Sequence, residues 1–397
     1  MIDRPPAVIG GTAPLLSVGY VCTEYPVFEP HHGGIGSFVQ TLATALVDAG
    51  HRPTVYGFSD RAREWTDRGV RLVTLPRIGV WSSIRAMQLR IARDLAGGAI
   101  DLAESAESEA LCLPGGSGSV VRFHGSHHFW CATLPQRKRY GRLLLEQIAI
   151  RRARGLCAVS RFAADVTRRA MRLGTRSIEV LTNPVDTNAF TPRPRSVVPG
   201  RVLFVGAITE KKGVRELCAS MEQVLERHPE AELQLIGRDI PAAGGLLRET
   251  IERTLSSRVR RSVQFLGPKS RQDVSREMAA AQICAFPSHM ETQGIVFVEG
   301  MACGRPVIAP SRGPGPEVLG PAGECGLLVD PSDPRDIADK INRLLDDPAL
   351  GNQMGVRGRQ RALAQFSLAP CLERNVEFYA RHLSAAARRR RTAILKT

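Results

Sequence analysis

Short apolar runs alternate with amphipathic stretches along nearly the whole chain, and one proline-rich segment interrupts that alternation near the middle. Runs of this kind, separated by helical periodicity, belong to parallel strands that are covered on both faces by crossover helices. Residues 15–21 (LLSVGYV), 52–57, 70–75, 119–123 and 155–159 predict strands, and residues 35–49 predict a helix closed by Gly50. Residues 191–200, TPRPRSVVPG, hold three prolines in ten positions. They can form neither a helix nor a central strand, so they read as an interdomain linker. The pattern restarts at RVLFVGAI, with strands near Val202, Leu233, Val263, Ile283, Val307 and Leu327. A chain of 397 residues also exceeds one ordinary core. The expected fold is therefore α/β, with two doubly wound Rossmann-like domains facing a cleft. Residues 1–190 are expected to form the first and 201–365 the second. Residues 366–397 form a C-terminal helix that packs back toward the first domain, and its arginine-rich tail is expected to fray. Ligands of such sheets gather at the carboxyl ends of the strands.

The segment 288–311, SHMETQGIVFVEGMACGRPVIAPS, carries two glutamates eight positions apart, Glu291 and Glu299. Gly294 opens a helical stretch, Gly304 suits its C-terminal cap, and Pro306 forbids continuation. The first turn of such a helix offers unpaired N–H groups and the positive end of the macrodipole, an anion site that glycine leaves open to a phosphate. Glu299 lies about 7.5 Å further along the axis at 1.5 Å per residue, with its side chain tilted back toward the N-terminus. A carboxylate only accepts hydrogen bonds, so its partner beside a phosphate is a diol such as a ribose. Glu291, ahead of the helix, suits a second hydroxylated group.

These residues, with the trailing M-A-C-G-x-P-V-I-A, resemble the E-x7-E signature of retaining glycosyltransferase family 4, enzymes of GT-B architecture that use nucleotide-sugar donors. The resemblance implies that Glu291 and the backbone of Thr292, Gly294 and Ile295 hold the donor sugar, and that Glu299 holds the ribose. It likewise matches the loop His32-Gly33-Gly34-Ile35-Gly36 to the family's N-terminal glycine loop, with Gly34 and Gly36 toward the diphosphate. His124, after the SVVRF strand, takes the place of the family histidine near the sugar, with His127 and His128 close by. Residues 204–213 are similar to G-R-x4-K-G, in which arginine and lysine neutralise the departing diphosphate. Gly206 and Lys212 match, but Ala207 stands where the family has arginine. The resemblance implies retention of anomeric configuration. His124 and Glu291 are then the candidate catalytic residues, both acting by positioning the sugar.

Other classes fit poorly. The glycine loop is not G-x-G-x-x-G and has no acidic residue at ribose spacing behind it, which argues against a dehydrogenase. No D-x-D occurs, and no histidine, cysteine or carboxylate cluster has ligand spacing, so no metal site is expected; the donor needs no further cofactor and tolerates a divalent cation. Nine cysteines without a C-x-x-C pair suit free thiols in the cytoplasm, and residues 7–22 are too rich in glycine for a signal peptide. The net charge of +15 is spread over many helices with only 5% aromatic residues, a composition that does not suit nucleic acid. Arg137-Lys138-Arg139 and the basic stretch 151–154 suit peripheral contact with an anionic membrane carrying a lipid-linked acceptor, at the inner face. Two alternatives to glycosyl transfer remain. One is a nucleotide-sugar epimerase of similar architecture, and the other is a non-catalytic nucleotide-sugar-binding protein, which Ala207 suggests.

Overall fold

The computed structural model describes residues 15–28, 34–134, 137–193, 197–241, 245–320 and 324–394. Eight strands build the first sheet: β1 Ser17–Val21, β2 Arg52–Ser59, β3 Arg63–Asp67, β4 Val70–Pro76, β5 Leu102–Ala106, β6 Gly116–Phe123, β7 Ala153–Ala158 and β8 Glu179–Val180. Their order is β3-β4-β2-β1-β5-β6-β7-β8, and only β3 runs antiparallel. Six strands build the second: β9 Arg201–Val205, β10 Glu232–Ile236, β11 Val263–Gly267, β12 Ile283–Ala285, β13 Val307–Pro310 and β14 Gly326–Val329, ordered β11-β10-β9-β12-β13-β14 and all parallel. Strand order reverses between β1 and β5 in one sheet and between β9 and β12 in the other. The two expected Rossmann-like domains are present, and their crevices lie where those strands end.

Three strands escape the apolar pattern. β3 is a charged edge strand, and β8 has two residues. β5 (LAESA) is fully buried yet carries Glu104 and Ser105, because Glu104 is neutralised inside the sheet. Arg122 on β6, 0% exposed, donates through Nε and Nη2 to the two Glu104 oxygens at 2.7 and 3.1 Å. It also bonds the Leu181 carbonyl at 3.0 Å and the Asn375 side chain at 2.5 Å. Tyr379 donates to Glu104 at 2.8 Å, and its hydroxyl lies 3.0 Å from that of Tyr20. A buried cation is tolerated only when its charge and its N–H groups are met in this way.

The chain changes domain earlier than the proline-rich segment suggests. Leu181 lies in a first-domain core, whereas Val185 and Phe190 already lie in the second-domain core, so the crossing is at residues 182–184. Arg359 fixes the incoming segment through the carbonyls of Thr187, Phe190 and Ala302 at 2.8–2.9 Å. Pro194 lies outside the described residues. The return is made by two helices rather than one, Leu368–Arg381 and Ala385–Ile394, which insert Leu372, Phe378, Tyr379, Leu383 and Ala387 into the first-domain core. The tail is held rather than frayed as far as it is described, because Arg390 and Arg391 each reach Asp101 at 3.3 Å.

Candidate functional site

In the second domain, the loop after β9 closes on the loop after β12. Gly213, at φ 68°, makes this approach feasible, since a Cβ there would lie 1.9 Å from the Pro287 carbonyl oxygen. Lys212, one residue earlier, thereby donates its ammonium hydrogen to a Glu291 carboxylate oxygen, which also accepts from the Ser288 hydroxyl at 3.2 Å. Two residues assigned to opposite ends of a donor are thus joined as an ion pair, with side chains 22% and 13% exposed. Ala207 is half-buried in the same loop and has no guanidinium to offer. Lys211 points elsewhere, its ammonium 4.0 Å from the centre of the Trp130 ring across the cleft. Burial first, and the charge of Lys212 second, hold the Lys211 ammonium below its ordinary range.

The helix Ile295–Ala302 follows. Gly294 enters it at φ 76°, where a Cβ would meet the Phe297 ring at 2.3 Å. Gly304 leaves it at φ 68°, with Arg305 N–H bonding the Gly300 carbonyl at 3.1 Å. Gly300 marks close packing, since a Cβ would stand 3.0 Å from Val307 and 3.3 Å from Cys284. A first helical turn cannot pair its own leading N–H groups, and those of Ile295 and Val296 have no partner among the described residues. Glu299 is half-buried, and its carboxyl makes no hydrogen bond among the described residues. The protein atoms packed around it push its pKa up to about 7 against the opposing charge of Arg271. The Thr292 carbonyl is engaged across the domain boundary by the Ser160 hydroxyl at 2.5 Å, and Gln293 makes two bonds to the Asn183 backbone at 2.9 Å.

In the first domain, Glu107 follows β5 and is buried. It accepts from His124 N–H at 2.9 Å and from Gly125 N–H at 2.5 Å, so it sets the turn that carries His124. Burial pushes the Glu107 pKa up to about 7 despite those bonds. The His124 ring lies 5.2 Å from Phe38, two residues beyond Gly36 in the helix Gly34–Asp48. Burial, and then the charge of Arg122, lower the His124 pKa to about 3. It therefore offers a neutral imidazole throughout the physiological range. His127 and His128 are committed to packing, with their Nε2 atoms at the Arg139 N–H (3.1 Å) and the Leu143 carbonyl (2.9 Å). Gly36 N–H, expected to face a diphosphate, donates to Glu24 at 3.1 Å; His32 and Gly33 lie outside the described residues.

The structure joins Glu291 to Lys212, and Trp130 connects the two loops across the cleft: it carries Lys211 on its face and lies 2.8 Å from where a Gly125 Cβ would be. A further cross-domain clasp has the Glu317 carboxylate accepting from Arg161 N–H (2.9 Å) and Phe162 N–H (3.3 Å) at the start of the helix Arg161–Ala170. Sequence reasoning missed Glu24, Glu107, Trp130, Gln293 and Glu317. For Glu107 a signal existed, an acidic cluster Glu104-Ser105-Ala106-Glu107 just ahead of the histidine strand, but it does not read as a strand end.

Comparison with known proteins gives the same architecture. Residues 32–189 match the family described as Glycosyltransferase Family 4, and residues 194–361 match Glycosyl transferases group 1. A GDP-mannose-dependent monoacylated alpha-(1-6)-phosphatidylinositol monomannoside mannosyltransferase of Corynebacterium glutamicum is 33% identical over 210 residues, 48% of this chain and 53% of the relative. An MMP alpha-(1->4)-mannosyltransferase of Mycolicibacterium hassiacum is 26% identical over 90% of this chain and 97% of its own length. The chain thus spans about half of the first and nearly all of the second. Sucrose-phosphate synthase from Thermosynechococcus elongatus shares the fold with a TM-score of 0.75 at 22% identity, covering 92% of this chain and 98% of that one. Anabaena HepE, solved with UDP and glucose, does so at 0.68 and 18%, covering 92% and 99%. With the two family matches laid end to end over two doubly wound domains, the chain belongs to the family 4 type of GT-B glycosyltransferases.

Proposed function

We propose that the protein transfers a sugar from a nucleotide-sugar donor to a hydroxyl acceptor with retention of anomeric configuration. The observation that carries this reading is the Lys212–Glu291 ion pair, set at the second-domain switch point beside the open first turn of the Ile295–Ala302 helix. In the proposed step the bond from the anomeric carbon to the leaving phosphate oxygen breaks through an oxocarbenium-like state, and a bond to the acceptor oxygen forms on the same face. The acceptor proton passes to the leaving phosphate oxygen. Lys212 and the N–H groups of Ile295 and Val296 meet the charge that accumulates on the diphosphate, a role in which preorganised donors are most effective. Glu291, released from part of its contact with Lys212, accepts sugar hydroxyls, and neutral His124 positions the sugar from the opposite domain. A divalent cation is compatible with this arrangement and is not required by it. The test is acceptor-dependent release of nucleoside diphosphate in a donor and acceptor screen. Isomerised donor formed without acceptor would favour an epimerase, and binding without any turnover would reduce the protein to a nucleotide-sugar-binding role.

Glu299 gives the proposal a pH signature. Its carboxyl in the folded protein titrates near 7, above the ordinary glutamate range, so it becomes a full ribose acceptor only as pH rises through 7. Affinity for a bound nucleoside diphosphate is expected to fall as pH drops from 8 to 6, by up to about tenfold for one charge-assisted bond. Glu299→Gln should be weak and flat across that range. A wild-type profile parallel to that of the variant would remove Glu299 from the ribose.

We propose further that the acceptor is lipid-linked and is met at the cytoplasmic face of an anionic membrane; a second observation supports the peripheral contact. The helix Tyr140–Arg152 exposes Tyr140, Leu144 and Ile148 at 75%, 59% and 44%, four residues apart and so on one face. Exposed Arg137, Lys138, Arg139 and Arg142 border that stripe, while its Glu146 is buried and bonded to His127 N–H. An apolar stripe edged with cations is the pattern of a helix lying in a lipid interface. Among the described residues no helix is long and apolar enough to cross a membrane. Leu144→Glu/Ile148→Glu is expected to abolish flotation with phosphatidylglycerol vesicles and leave thermal stability near wild type. Undiminished flotation of that variant would discard the membrane reading.

A further inference from the structure

At the opposite edge of the first sheet, away from the cleft, the amino ends of β6 and β7 border a cavity of about 580 Å³ lined by Gly116, Ser117, Ala153, Ala385 and five arginines, Arg151, Arg152, Arg154, Arg176 and Arg388. β6 separates it from His124 by roughly 20–25 Å at about 3.3 Å per residue. The five guanidinium groups come from four places in the fold: the end of the Tyr140–Arg152 helix, β7, the loop before β8, and the last helix. None has a carboxylate partner among the described residues. Arg152 bonds the Pro114 carbonyl at 3.0 Å, Arg176 bonds those of Ile150 and Ala153 at 3.0 and 2.6 Å, and Arg388 bonds those of Leu383 and Arg381 at 3.1 Å. These contacts fix the orientation of the side chains without neutralising their charge. Arg151 and Arg154 have no partner among the described residues.

Arg151 and Arg152 would be accounted for by the helix C-terminus they end, where cations complement the macrodipole. That account does not extend to Arg154, Arg176 and Arg388. Arg176 is held below the ordinary arginine range chiefly by burial, with the nearby charge of Arg154 adding to it. The first turn of the Ala385–Ile394 helix also opens here, with Ala385 N–H on the Ser117 hydroxyl at 3.2 Å. Other arginines are paired with acids, as at Arg201–Glu232 and Arg71–Glu64. Several unpaired guanidinium forks around one cavity match an anion of two or more charges whose oxygens accept in pairs.

We propose that this arginine-lined cavity is a second, non-catalytic binding site for a phosphate-bearing polyanion, either a free phosphorylated molecule or a phosphomonoester lipid headgroup. Its volume lies within the range of small-molecule sites. The proposal does not depend on the transferase reading, since neither the cleft nor its residues take part.

The test titrates inorganic pyrophosphate calorimetrically onto the full chain at about 0.15 M salt, where weak exposed pairs are screened. Three variants are run in parallel. Arg151→Ser/Arg154→Ser alters the cavity, Arg260→Ser/Arg261→Ser removes the same charge from an exposed helix of the other domain, and Lys212→Ala reports any binding in the cleft. Pyrophosphate binding that is weakened about tenfold or more in the cavity variant alone establishes the site and a free ligand. If pyrophosphate does not bind, the headgroup source requires flotation on phosphatidic acid vesicles beyond that on phosphatidylglycerol vesicles, with this preference lost only in the cavity variant. Equal weakening in both double variants, a cavity variant that behaves as wild type, or absence of binding to either probe overturns the proposal. Both replaced cavity side chains are exposed, so the variant should fold, and an unchanged melting temperature confirms that it does.

Discussion

Lys212→Met is expected to lower kcat for glycosyl transfer by roughly 10²- to 10³-fold, the loss seen when one preorganised donor to a developing oxyanion is removed. It should also weaken nucleoside diphosphate binding, because the methionine leaves a phosphate without its cation. Glu291→Gln separates the two roles. The Glu291 carboxylate holds the Lys212 ammonium that the diphosphate needs. Removing its charge should therefore leave nucleoside diphosphate affinity unchanged or raised while transfer falls by a comparable factor. The residues are in contact, so their effects are not additive. The double variant should transfer no more slowly than Lys212→Met alone by more than about tenfold. The measurements are kcat with a working donor and acceptor, and the dissociation constant of the nucleoside diphosphate, on all three variants. If Glu291→Gln loses affinity and turnover in equal proportion, the glutamate serves the fold of the loop and not the sugar.

Ala207 bears on the same experiment. With no guanidinium in that loop and Lys211 drawn to Trp130, Lys212 is the loop's one cation directed at Glu291. The electrostatic work that an arginine and a lysine share in the family pattern falls on one side chain here, which is why the Lys212 effect should lie toward the larger end.

What the sequence disclosed follows from what kind of interaction holds each element. Strands β9 to β14 and the helix Ile295–Ala302 are built of local signals, apolar runs and glycines at φ values that favour glycine, and these were legible residue by residue. Glu107 was not legible because its role is to accept N–H groups seventeen and eighteen residues away, a relation that exists only once β5 and β6 are side by side. The domain crossing was misplaced for a related reason. The prolines mark where regular structure stops, whereas the crossing is set by which core takes Leu181 and which takes Val185. Gly36 shows the same limit, since spacing places an N–H at a helix start but does not reveal that Glu24 occupies it.

The Arg122–Glu104 pair is where the first domain is most sensitive to a single charge. Glu104→Gln keeps the size and most hydrogen bonds of the side chain but leaves the Arg122 guanidinium, 0% exposed, without its counter-ion. Breaking a buried pair from one side costs about 3–5 kcal/mol, because the remaining charge has lost its compensation and cannot reach water. For a domain of this size that corresponds to a fall in melting temperature of roughly 10 °C. The loss should reach the C-terminal helix Leu368–Arg381 as well, since Asn375 accepts from Arg122 and Tyr379 bonds both Arg122 and Glu104, tying the helix to β5 and β6. Faster amide exchange in that helix, in the variant compared with wild type, is the corresponding local measurement. Replacing both partners, Glu104→Leu with Arg122→Met, should recover much of the lost stability, because an apolar pair of similar volume leaves no charge to desolvate. With Arg122 replaced, the His124 pKa should rise, because the charge of Arg122 adds to burial in holding it down. A double variant that melts no higher than Glu104→Gln would show instead that the network is held by its hydrogen bonds to Leu181, Asn375 and Tyr379, with the charge as a minor contribution.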